Sequence, residues 1–131
     1  MYRLVLMMFC FLWVGCNEGT APVIENLEIE STSLVVGAEN IVTFALDFSD
    51  SEGDVELAQI HIVSQKDGAT IASGTSPIHD AVGVEAGRFS GTFAMTPQTA
   101  GFFYFRVTVL DASRNESNQL SESLEAVDDT D

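Results

Sequence analysis

The sequence predicts an all-β protein: a sandwich of two packed antiparallel sheets with about seven strands. Apolar and polar residues alternate at period two through most of the chain, the pattern of a half-buried strand. The apolar positions are rich in Val, Ile and Phe, which suit a pleated surface. Clusters of Gly, Asp, Asn, Ser and Pro punctuate the alternation at roughly ten-residue spacing, and no comparable stretch repeats with the helical period.

The strands follow in order. Leu27 and Ile29 alternate with Glu28 and Glu30. Val42, Phe44, Leu46 and Phe48 alternate with Thr43, Ala45 and Asp47, and Ile60 and Ile62 with Gln59 and His61. Phe89, Phe93 and Met95 share a face with Gly91, opposite Arg88, Ser90 and Thr92. Phe103, Phe105, Val107 and Val109 alternate with Tyr104, Arg106 and Thr108, and Leu120 and Leu124 close the series. Asp67-Gly68 is the best single hairpin turn. Residues 73–84 are the weakest part, a loose strand or a loop. The tail at 128–131 is acidic and expected to be solvated.

The first residues read as an address. Arg3 precedes an apolar run over residues 4–15, the pattern of a secretory signal. Twelve helical residues reach about 18 Å, short of a hydrocarbon core of about 30 Å, so a membrane span is the poorer reading. Leu12-Trp13-Val14-Gly15-Cys16 resembles a bacterial lipobox, with Trp13 where Leu is usual. That resemblance implies cleavage before Cys16 and its lipidation. Asn17 after the Cys resembles the pattern sent to an outer membrane. The expected organisation is therefore a signal peptide at 1–15, a lipidated Cys and linker at 16–22, a sandwich at 23–127 and an acidic tail at 128–131. Cys10 leaves with the signal and Cys16 is acylated, so no disulfide remains.

Composition narrows the function. The 131 residues carry 20 acids and five bases, a net −15; loss of Arg3 with the signal leaves −16. Such a chain does not seek nucleic acid or anionic lipid by charge. At 46% hydrophobic residues it is too apolar for a disordered acidic tail.

The segment from Gly101 to Ala112, Gly-Phe-Phe-Tyr-Phe-Arg-Val-Thr-Val-Leu-Asp-Ala, followed by Asn115 and Ser117-Asn118, resembles the penultimate strand and last turn of bacterial immunoglobulin-like domains. Phe48-Ser49-Asp50-Ser51-Glu52-Gly53-Asp54-Val55 is similar to a strand-to-strand turn of cadherin-like and fibronectin-III-like sandwiches. The resemblance implies an immunoglobulin-like β-sandwich over residues 22–127.

Among candidate sites, the acidic one is strongest. Asp50, Glu52 and Asp54 alternate across a turn, with Asp47 just before, and Asp111 and Asn115 are expected at the same end of the sandwich. Calcium wants six to eight oxygen ligands, and clustered carboxylates supply them. The spacing matches the opening of a calcium loop, but it fails as an EF-hand: Gly53 falls at position four, and position twelve is His61 where a Glu is needed. The competing reading is that Asp, Ser and Gly are simply good turn formers. Glu25, Glu28, Glu30, Glu122, Glu125 and Asp128 read as charge that blunts edge strands. Phe102, Tyr104 and Leu110 face away from the core and are candidates for contact with a partner. His61 and His79 lack the companions of a zinc site, and no Gly-x-Ser-x-Gly elbow occurs, so catalysis is not expected. The expectation is a non-catalytic, membrane-tethered interaction or structural module of the cell envelope, whose partner is another envelope protein or a glycan. A calcium-stabilised adhesion module and a carbohydrate-binding module are the alternatives.

Overall fold

The computed structural model describes residues 20–79 and 81–128. Alternation resolves into eight strands: β1 (Val23–Ile29), β2 (Ser33–Val35), β3 (Asn40–Ser49), β4 (Val55–Ser64), β5 (Thr70–Pro77), β6 (Ala86–Met95), β7 (Gly101–Asp111) and β8 (Leu120–Val127). The first sheet has the order β1-β3-β6, the second β2-β8-β7-β4-β5. All pairings are antiparallel except β2 with β8. The strand beyond the expected seven is β2. Three residues are too short to display an alternation, and only Leu34 of this strand is buried. The ambiguous stretch at 73–84 divides: β5 runs to Pro77 and a loop follows.

The inward residues are those the alternation selects. Val42, Phe44, Leu46 and Phe48 on β3 meet Ile60 and Ile62 on β4 and Phe103, Phe105, Val107 and Val109 on β7. Phe44 sits at the junction. Its ring lies 5.7 Å edge-on from Phe89 in its own sheet and 5.1 Å from Phe105 across the sandwich. Gly91 leaves room for this cluster, since a Cβ there would lie 2.8 Å from the Phe89 ring and 3.1 Å from that of Phe44.

The connections divide between the two ends of the sandwich. At one end, residues 50–54, 78–85 and 112–119 meet through backbone bonds: Asp50 N–H to Glu85 O (2.7 Å), Gly83 N–H to Gly53 O (2.7 Å) and Ala112 N–H to Asp54 O (2.9 Å). At the other end, the β4–β5 turn meets the start of β7 through Gln65 N–H to Phe102 O (3.1 Å). The expected Asp67-Gly68 turn closes there with Gly68 N–H donating to Ser64 O. Asn118 fastens β1 to the second sheet: its amide accepts from Ile24 N–H (2.8 Å) and donates to Ile24 O (2.9 Å).

Truncating Phe44 removes the ring common to both sheets. Phe44→Ala is expected to lower unfolding stability by about 3–5 kcal/mol, read as a lower urea midpoint.

Candidate cation site at one end of the sandwich

Two turns build the site. After β3, the chain turns at residues 50–54 and re-enters the second sheet as β4. Asp50 anchors this turn by accepting Asp54 N–H on its Oδ2 (3.0 Å) and Gly53 N–H on its backbone oxygen (2.9 Å). Gly53 has φ +63° and packs on Gly83; a Cβ would lie 3.0 Å from the Gly83 backbone carbon. Glycine is needed there on both counts. After β7, Asp111 organises the next turn. Its Oδ1 accepts from Ser113 N–H (2.9 Å) and Asn115 N–H (2.8 Å), and its Oδ2 from Asn115 Nδ2 (3.1 Å).

These turns bring three carboxylates together. One oxygen from each of Asp50, Asp54 and Asp111 lies within 4.8 Å of the others. Asp50 and Asp111 are 2% and 1% exposed, and Asp54 is half-buried. Asp50 Oδ1 and Asp54 Oδ1 are buried and accept no hydrogen bond. Two ionised carboxylates at this separation repel by about 3–4 kcal/mol at an effective dielectric of ~20. Neutral pH therefore leaves two ways to relieve the cluster: a shared proton or a cation. Once protonated, Asp54 can hydrogen-bond the Asp50 carboxyl; that bond, burial, and the charges of Asp50 and Asp111 push its pKa up to about 6.

The donor set suits a hard divalent ion. All three ligands are oxygen, and calcium–oxygen distances of about 2.4 Å allow ligand oxygens up to about 4.8 Å apart. Asp50, Asp54 and Asp111 would hold the ion, with other oxygens completing its shell. Asn115 acts through Asp111, which it orients by two hydrogen bonds.

Two of the predicted ligands lie elsewhere. Asp47 is on the outward face of β3, because alternation turns it away from Leu46 and Phe48. It accepts from Asn26 Nδ2 (2.8 Å) and Arg88 (2.8 Å), which hold its carboxyl below the usual range. Arg88 also bridges Glu28 (2.7 Å). Glu52 is at the exposed tip of the turn, accepting from Thr20 and Ser51.

The aromatic candidates divide as well. Phe102 is 53% exposed, whereas Tyr104 and Leu110 are half-buried. They share the outer face of the second sheet, but Leu110 lies toward the carboxylate end, beyond buried Thr108. Arg106 lies over the Tyr104 ring, 5.0 Å from its centroid. His61 and His79 are both exposed. Cys16 lies outside the described residues. Sequence reasoning gave no site role to Gly83, Glu85 or Asn118, whose contacts join segments far apart in the chain.

No protein-family model and no curated protein matches the chain. Solved structures do. The PKD domain of an M14-like peptidase from a Thermoplasmatales archaeon is 18% identical, with TM-score 0.50 over 83% of this chain and 98% of that one. The CARDB domain of a Pyrococcus furiosus protein, solved in complex with di-metal ions, is 14% identical, with TM-score 0.48 over 85% and 96%. The SrpA adhesin of Streptococcus sanguinis is 14% identical, with TM-score 0.47 over 86% and 61%. The fold is an immunoglobulin-like β-sandwich with eight strands.

The sign of the pH response follows from the cluster. A carboxyl whose pKa is raised from 3.8 to about 6 by folding binds more protons in the folded state between those values. In chelator, this group's contribution to stability falls as pH rises from about 4 through 6. Asp54→Asn is expected to raise the melting temperature at pH 7 in chelator and to flatten that pH dependence.

Proposed function

We propose that the protein is a non-catalytic interaction module of the bacterial cell envelope, tethered to a membrane through lipidated Cys16, with one end stiffened by calcium. The observation that carries the calcium part is the pair of buried, unpartnered oxygens, Asp50 Oδ1 and Asp54 Oδ1, beside Asp111. Buried polar atoms ordinarily find a partner, and a divalent cation satisfies both together. Such an ion ties residues 50–54 to the turn after β7. Through the Gly53–Gly83 contact it also supports the loop before β6. Its role there is to hold a shape.

The tether rests on the sequence of residues 1–16. Several acyl chains make attachment stable, because each buried methylene is worth about 0.8 kcal/mol. An outer membrane fits Asn17. The partner such a module meets is an envelope protein or a glycan.

Two measurements test this reading. Melting of the detergent-solubilised full chain is expected to shift upward by several degrees with calcium at about 100 times its Kd, equivalent to about 2.7 kcal/mol. Identical curves in calcium and chelator would reduce Asp50, Asp54 and Asp111 to turn formers. Separately, Cys16→Ser is expected to move the protein from the membrane fraction to the soluble one, and unchanged membrane retention would remove the tether.

A further inference from the structure

The chain distributes its acids unevenly. None occurs between Asp67 and Asp80, or between Glu85 and Asp111. These stretches contain β5, all of β6 and nearly all of β7. The outer face of the five-stranded sheet is consequently almost free of carboxylate. Its central row runs Ser73–His61–Arg106–Ser121 across β5, β4, β7 and β8, about 14 Å at ordinary strand spacing.

Arg106 is the unusual member. In a chain with 20 acids, its guanidinium has no ion pair and no side-chain hydrogen bond among the described residues, where both ion pairs belong to Arg88. It is half-buried against the Tyr104 ring. A guanidinium free of protein carboxylates can take a carboxylate in a bidentate pair. His61 lies beside it in register. Four residues along β7, about 13 Å away, Phe102 exposes half of its ring.

We propose that this face binds an acidic polysaccharide. A uronate carboxylate pairs with Arg106, which Tyr104 positions, and a sugar ring further along the same polymer stacks on Phe102. Ser121 rather than an acid lies opposite the cation on β8, so an extended polymer can lie across the face. Glu125, opposite Phe102 in register, accepts sugar hydroxyls at the border of the face. The carboxylate cluster at the sandwich end takes no part, so this site operates with or without calcium.

The test is affinity electrophoresis of the detergent-solubilised full chain, in chelator, through gels containing polygalacturonate, neutral dextran or polyglutamate. Retardation by polygalacturonate alone is expected. R106Q and F102S should each weaken it at least tenfold, while the melting temperature of the exposed-site variant F102S remains unchanged. Should R106Q fail to fold, F102S decides on its own. Equal retardation by polyglutamate would reduce the face to a generic anion site, and equal retardation by dextran would remove Arg106 from recognition. Either result, or no retardation, overturns the proposal.

Discussion

Phe44 is the contact on which the two sheets agree. It packs on Phe89 through the pairing of β3 with β6 and on Phe105 through the space between the sheets. A one-residue slip of β3 would turn Thr43 and Ala45 inward and leave Phe44 in water, because strand side chains alternate strictly. Register in the first sheet and alignment of the second are thus set by the same ring. The stagger that places Val23 opposite Ser49 and Val55 opposite Asp111 follows from it, and so does the meeting of the 50–54 turn with the end of β7.

The carboxylate cluster is a cost placed where the core can bear it. Asp50 organises its turn with one carboxylate oxygen and Asp111 with both, and those bonds alone justify an Asp at each position. The carboxylates converge because both turns leave the same end of a closely packed sandwich. Asp54 completes the set from a strand entrance whose backbone is fixed at both sides, by Asp50 and by Ala112. Turn formation alone thus brings the three carboxylates to one place.

Most of the fold was readable because it rests on local rules. Alternation identified the core faces of β3, β4 and β7, and turn chemistry identified the breaks. β2 was not readable, since a three-residue parallel strand is defined by its neighbour β8 rather than by its own pattern. The acidic site was partly readable. Spacing picked out Asp50 and Asp54, and the resemblance placed Asp111 at the same end. Spacing also picked out Asp47 and Glu52, because it does not distinguish a side chain under a turn from one on a strand face or at a tip. The pairing of His61 with Arg106 was not readable until a register was known, and the Gly53–Gly83 contact joins glycines 30 positions apart.

The contact of Thr20 with Ser51 and Glu52 has a consequence for orientation. It places the approach to β1 at the carboxylate end, whereas β8 runs away from that end, pairing Leu120 with Val107 and Ala126 with Gly101. On the tether proposed at Cys16, four residues precede Thr20, a reach of about 14 Å at most. On that proposal the carboxylate end would be the proximal one, and the Phe102 end would stand off from the anchor by the length of the strands.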